Sequence, residues 1–537
     1  MGTLAVRSRI EARPEPGLER LHDALLDDLA HDGPLARERF PVRWSDDAGL
    51  KALAGAKRRA LPRELAEEMA EFHRRLGASP ASLAALEGLT RGEAVCTVSG
   101  QQPAPLGGPL YSLHKIASSV GMAVAVASRT GTPCVPLFWM HGEDSDFAEI
   151  RGATIADAAL ALRDLELPAS SHRDGQMVGG IELAPVAALD REALALWSGL
   201  PGVDDCRGVL ERSLGTARDL GEAFAALVLA LFGAQGIIVV DPRLPAFRAA
   251  ARPVLARYFH SADALTSAAR RAGDRLETLL GRRPLADAAL DSFVFAIEGD
   301  TRRKVTPAQA RALGAGATLS PSVALRPVVQ DDVFPTVAMA CGPGEAAYLA
   351  QLREVFEGLG VRPACPVPRL SATWLPPAAA ALIDASGASA WEVISGADAV
   401  LRRLATTHLP PEVRAALEGA RTAAASGLAR FAAASRQVDA SLPQLVESAR
   451  GKVDYQFARL EEGLLAKVRH QLERQHPEWL RVHCYLMPRD RLQERRVASL
   501  DVVARGGTAV VGELCELAAE HARRLAGGTL EHLVLDL

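Results

Sequence analysis

The chain lacks most of the short signatures that announce a chemistry. None of its seven cysteines (96, 134, 206, 341, 365, 484 and 515) belongs to a Cys-x-x-Cys pair, which argues against a zinc ribbon or a disulfide framework and fits a reducing compartment. There is no P-loop lysine motif and no Gly-x-Gly-x-x-Gly, so neither common phosphate cradle is available. A net charge of -4 gives no general attraction for nucleic acid or an anionic membrane. No charge-free run approaches the roughly 20 residues that span a bilayer, and the apolar run near 121–127 is too short. The first 16 residues carry Arg7, Arg9, Glu11, Arg13 and Glu15 without an apolar segment, which is unlike a secretory signal. The expectation is a cytoplasmic protein with neither nucleic acid nor membrane as partner.

What is present is an α/β grammar on a large scale. A length of 537 residues exceeds what one core sustains, so a main domain with insertions, or two to three domains, is expected. Residues 17–90 show helical spacing, as in Leu18, Leu21, Leu25 and Leu29, and read as a lead-in. From 94 the pattern becomes strand, loop, helix, strand, the pattern of a parallel sheet with crossover helices. The parts read as 1–159 lead-in and first core segment, 160–215 first insertion, 216–280 core, 281–324 second insertion with a small β element turning at Gly299-Asp300, and 325–376 core. Residues 377–472 read as a helical region, and 477–537 as a return to the core, with strands at 480–487 and 530–537 around a charged helix start at 491–496. Apolar positions Leu442, Leu445, Val446, Phe457, Leu460, Leu464, Leu465 and Val468 predict a long helix, with the Ala-rich 412–437 stretch as its antiparallel partner. A protruding hairpin that supports a homodimer is the favoured reading, and a packed helical subdomain the other.

Polar groups gather where the apolar strands end, which is where ligands bind in a parallel sheet. Gln101 and Gln102 could orient a hydroxyl-rich or amide substrate, or simply cap a turn. Gly107 and Gly108 precede a helix whose free N–H groups would suit a phosphate or carboxylate, though most such turns merely start a helix. Lys115 could neutralise a phosphate or be a solvated surface lysine, and His114 stands beside it. Glu143, Asp144 and Asp146 are three carboxylates in four residues. They could deprotonate an amine, bind an ammonium group, or hold Mg²⁺ with substrate phosphates; a solvated, helix-capping turn is the plainer alternative. The stretch Gly342-Pro343-Gly344-Glu345 allows close backbone approach to a ligand or is equally a tight strand-to-helix turn, and Arg369 ends a further strand.

The segments 99–103 (Ser-Gly-Gln-Gln-Pro), 107–115, 138–150, 325–331, 342–348 and 492–495 together resemble the bacillithiol biosynthesis cysteine-adding enzyme family, in order and spacing over nearly the whole chain. The resemblance implies a Rossmann-like core similar to class I aminoacyl-tRNA synthetases, two connective insertions and a coiled coil used for dimerisation. It implies a ligase adding L-cysteine to glucosaminyl-malate, with ATP or another nucleotide as cofactor and Mg²⁺ as a further candidate. On that match Glu143, Asp144 and Asp146 are the catalytic candidates. Gln101, Gln102, Tyr111, His114, Lys115, Arg326, Gln330 and Arg369 are substrate candidates, and Gly107, Gly108, Gly342, Gly344 and Glu345 cofactor candidates. The chain departs from the family pattern at Ser145, where histidine is usual, at Ala148, and at Ala104-Pro105. Ser145 removes a side chain that titrates near neutrality. The alternative function is a diverged nucleotide- or sugar-binding protein of the same fold. A tRNA synthetase is disfavoured by the absence of a basic excess and of a histidine-rich ATP signature.

Overall fold

The computed structural model describes residues 4–13, 21–314, 316–395, 404–407, 409–475 and 477–537; Leu18 of the expected lead-in lies outside them. The chain forms two units, Met1–Pro377 with Asp490–Leu537, and Ala378–Arg489.

In the first unit, strands β1 (Ala5–Glu11), β2 (Val95–Gln101), β3 (Cys134–Met140), β4 (Gly152–Ala156) and β5 (Leu162–Glu166) are followed by β6 (Ile238–Val240). The hairpin β7 (Val294–Glu298) and β8 (Thr301–Lys304) precedes β9 (Leu319–Pro321). Strands β10 (Thr336–Cys341), β11 (Cys365–Pro368), β12 (Ser371–Leu375) and β13 (Glu531–Asp536) complete the set. The central sheet runs β11-β10-β2-β3-β6, parallel throughout. Every residue of β2 and β10 is buried, as parallel strands covered on both faces require.

The crossover from β2 to β3 is the Leu110–Thr130 helix. It is long and apolar enough to cross a membrane by composition, yet it is mostly buried as a core helix. Gly121 lets it approach the Ala509–Ala526 helix, since a β-carbon there would meet the Ala518 carbonyl carbon at 2.4 Å. The Leu220–Phe232 and Pro245–Leu280 helices flank β6 in sequence, as expected.

A second sheet, β1-β13-β12, returns the C-terminus to this unit, with β1 antiparallel and β12 parallel to β13. β1 was not anticipated; its Val6, Ser8 and Ile10 alternate with arginines, a pattern easily taken for a polar tail. The β8-β7-β9 sheet contains the expected turn, with Gly299 at φ +64°. Residues 160–215 are more regular than their Gly and Pro content suggested, holding the Leu183–Leu196 and Val203–Thr216 helices. The charged start at 491–496 is a single 3-10 turn, Gln493–Arg495, before the Ser499–Gly506 helix.

In the second unit the Pro411–Ser435 and Leu442–Gln475 helices form the expected antiparallel pair. Arg421 Nη2 and Glu461 Oε2, 40 residues apart in the chain, meet at 2.9 Å. The strand expected at 480–487 is instead part of the Pro477–Leu486 helix. Its buried residues Trp479, Val482, Tyr485 and Leu486 recur at the helical interval, and Pro477 opens the first turn.

Candidate active site

A crevice of about 510 Å³ opens beyond the carboxyl ends of the central strands. Gln101 ends β2, and Gln102 follows it into the wall. Tyr111 and Lys115 are contributed one turn apart by the crossover helix. Past β3 come Glu143 and Asp144, and past β10 come Gly342, Gly344 and Glu345. Arg326 and Arg369 complete the set of expected residues that line it.

Five expected residues lie elsewhere. His114 is buried behind the wall, with Nδ1 3.0 Å from Glu494 Oε2 and Nε2 accepting from Trp374 Nε1 at 2.9 Å. Gln330 supports the wall from inside, facing Arg326 Nη1 at 3.4 Å and donating to Asp331 at 3.1 Å. Asp146 caps the Phe147–Ile150 helix by accepting from Glu149 N at 3.2 Å. Gly107 and Gly108 do not form the expected anion cradle. Their positive φ values shape a buried turn, the Leu110 N–H donates to Val497 O at 2.8 Å, and Ser499 N donates to Gly108 O at 2.7 Å. The helix N-terminus is thus covered by the 497–499 segment.

The acidic loop is more constrained than a free cluster of carboxylates. Glu143 Oε1 accepts from Arg248 at 2.8 and 3.1 Å, and Oε2 accepts from Ser320 Oγ at 2.6 Å. Burial pushes its carboxyl above the ordinary value, opposed by Arg248. Asp144 Oδ1 accepts the Ser145 N–H at 2.7 Å and lies 3.6 Å from Arg302 Nη1. Among the described residues, no group of three or more His, Cys, Asp or Glu side chains could hold a metal ion.

Elsewhere the wall is tightly cross-linked. Lys115 Nζ donates to Gly100 O and Gln101 Oε1, both at 3.1 Å, and pairs with Glu345 at 2.9 Å. Gln101 Nε2 donates to Tyr111 OH at 3.2 Å, while Arg326 Nη2 donates to Tyr348 OH at 2.6 Å. Burial raises the Tyr111 hydroxyl to about 12 and raises Tyr348 as well, so both remain neutral donors.

Several lining residues escaped the sequence reading. Arg302 and Ser320 come from the β8-β7-β9 sheet, inside the 281–324 segment expected as the second insertion. Arg302 stacks its guanidinium 3.8 Å from the Phe295 ring centre. Tyr348, Glu149 and Arg495 lay inside segments already singled out, with nothing to mark their direction. His141 directly follows β3, and that position was the available signal. Burial, with Arg326, Lys115 and Arg302 nearby, holds its imidazole well below its ordinary value and therefore neutral. Its Nε2 and Gln102 Oε1 are buried without a hydrogen-bond partner among the described residues. Six lining side chains are lysine or arginine against four carboxylates, so the crevice favours an anionic ligand.

The model of the bacillithiol biosynthesis BshC N-terminal Rossmann-like domain matches residues 23–313 and 309–370, and that of the BshC C-terminal coiled-coil domain matches 372–525. The chain belongs to the bacillithiol biosynthesis BshC family. Similar proteins include one from Solibacter usitatus, 31% identical over 446 residues, covering 79% of this chain and 82% of the relative. Another, from Koribacter versatilis, is 30% identical over 465 residues, covering 83% and 86%. A third, from Geobacillus kaustophilus, is 30% identical over 503 residues, covering 84% and 87%. Each of the three carries the name "Putative cysteine ligase BshC". The BshC family models cover all the strand-end loops that build the crevice, and the 492–495 turn behind it falls in the second model.

Proposed function

We propose that this BshC family member is a cysteine ligase. It joins the carboxyl of L-cysteine to the amine of glucosaminyl-malate, the last step of bacillithiol synthesis, in the cytoplasm. The observation that carries this reading is the cation excess of the strand-end crevice, because the malyl carboxylates and a nucleotide triphosphate are both anionic.

ATP fits this wall as the group that activates the cysteine carboxyl. Lys115, Arg326 and Arg369 supply cations, and the unpartnered Gln102 Oε1 and His141 Nε2 mark polar positions that a ligand would satisfy. Bound ATP supplies a leaving group for the carboxyl carbon, and Mg²⁺ arrives with its phosphates rather than on a protein ligand set. This chain's own contribution is orientation and exclusion of water. Gln101 and Gln102 present amides to sugar hydroxyls, while the backbone at Gly342 and Gly344 leaves room for a ligand beside Glu345. Glu143 holds Ser320 and Arg248 in the wall. The coiled-coil pair, with Phe431, Leu445, Tyr455 and Leu460 exposed, serves as the dimer contact.

The reading is tested by thiol profiling of the source cell with and without this gene. Loss of the cysteinyl thiol with accumulation of glucosaminyl-malate is expected, and an unchanged thiol profile contradicts it.

A further inference from the structure

Behind the crevice wall, Glu494 gathers partners from two parts of the chain, the 369–372 segment and the crossover helix. Arg369 Nη2 and Nη1 donate to its two oxygens at 2.6 and 2.9 Å. His114 Nδ1 lies at 3.0 Å, Ser371 Oγ at 3.1 Å and Ala372 N at 3.4 Å. Next to it, the Gln493 side chain accepts from Trp374 N at 2.8 Å and donates to Trp374 O at 3.0 Å. Glu494 is 2% exposed and Arg369 8%, so water does not compete for the pair.

The geometry of the fork decides what Arg369 can do next. A guanidinium has five N–H donors in a fixed plane. Nη1 gives one to Glu494 and one to Leu370 O at 2.7 Å, and Nη2 gives one to Glu494. The Nε–H and the second Nη2–H have no partner among the described residues. They form the side-on edge of the fork, the pairing that matches two oxygens of one oxyanion. Nε lies beside Gly342 on the crevice wall, 3.8 Å from where a β-carbon would stand, and the guanidinium lies 5.8 Å from the Tyr111 ring centre.

We propose that Arg369 receives a carboxylate or phosphate of the substrates through its Nε/Nη2 edge, and that Glu494 is the positioning residue that aims this edge by gripping the guanidinium end-on from behind. The proposal deepens the ligase reading by giving the crevice a defined oxyanion subsite. It also explains why the turn at 493–495 belongs to the site: Arg495 lines the crevice directly, while Glu494 acts through Arg369. Loss of Glu494 leaves a cation that can rotate, whereas loss of the fork leaves a charge without its geometry.

Calorimetric titration of the full-length protein distinguishes the oxyanion sources, with L-malate, L-cysteine and ATP as separate probes. E494Q is expected to weaken one probe by about 10-fold or more, the usual consequence of losing an oriented charge-assisted pair. R369K keeps the cation without the fork and is expected to weaken the same probe. The double variant is expected to bind that probe no more weakly than R369K alone, because the effect of Glu494 on the probe is relayed by Arg369. Additive losses, different probes affected by the two variants, or no binding of any probe to the wild type would overturn the proposal. If E494Q does not fold, R369K decides alone, and unchanged affinity for all three probes overturns it. Binding is read without turnover, so a failure to form product would count against the ligase reading while leaving this subsite standing.

Discussion

Lys115 Nζ and Glu345 Oε2 lie 2.9 Å apart, joining the helix that follows β2 to the helix that follows β10. Glu345 has a second task, accepting the Gly342 N–H at 3.0 Å as the cap of its own helix. The pair thus fixes two neighbouring strand-end loops at the base of the crevice.

Replacing Lys115 by methionine keeps the aliphatic stem and the Glu345 cap but removes a cation from the wall. The expected stability cost is about 1–3 kcal/mol for the uncompensated partner, read from the urea midpoint, with at least a tenfold fall in apparent affinity for the anionic substrates. Unchanged affinity would remove Lys115 from the binding wall.

Glu143 gives a sharper division. Both its oxygens are engaged by Arg248 and Ser320, which fits a tether better than a proton acceptor. E143Q is expected to lower kcat less than about tenfold, whereas loss of a general base costs about 10²–10⁴-fold. A loss in the larger range, with substrate affinity intact, would restore Glu143 to the proton transfer.

Asp190 predicts a pH dependence of stability. It lies buried among apolar residues including Leu106, Leu210 and Leu227, and its Oδ1 has no hydrogen-bond partner among the described residues. Burial raises its carboxyl to about 7. Its folded value lies above the unfolded one, so the native state binds more protons between the two, and stability falls as pH rises from about 4 to about 7. D190N removes this dependence. Relative to the wild type it gains stability across that interval, reaching about 2–4 kcal/mol above pH 7 from a shift of about three units. Parallel denaturation curves for the two proteins at pH 4 to 8 would contradict this.

The central strands were legible because parallel strands buried on both faces read as unbroken apolar runs, as in Ile237 to Val240. The polar residues that end them were legible for the same reason, since they interrupt those runs. What stayed hidden was direction and distance. Arg302 reaches the crevice from a small sheet, and Glu494 reaches Arg369 across 125 residues, a pairing that no local spacing encodes. The Gly107-Gly108 turn misled because a free helix start and one covered by Val497 and Ser499 have the same local sequence. The 480–487 segment misled because a short apolar run fits either period, and only the burial of Trp479, Val482 and Tyr485 selects the helix.

Phe431 and Leu460 are each 61% exposed on the coiled-coil pair. If they serve the dimer, the double substitution F431E/L460E is expected to halve the mass seen in sedimentation equilibrium while the far-ultraviolet circular dichroism stays unchanged. A wild-type monomer, or a variant that remains a dimer, would contradict that role.

The central claim is that this crevice forms an amide between cysteine and an amino sugar. The most direct measurement is mass spectrometry of purified protein incubated with ATP, Mg²⁺, L-cysteine and glucosaminyl-malate. The account predicts a product with the mass of the two substrates less one water, formed by the wild type and strongly reduced in R326A. Absence of that product across nucleotides and metal conditions, or its undiminished formation by R326A, would contradict it.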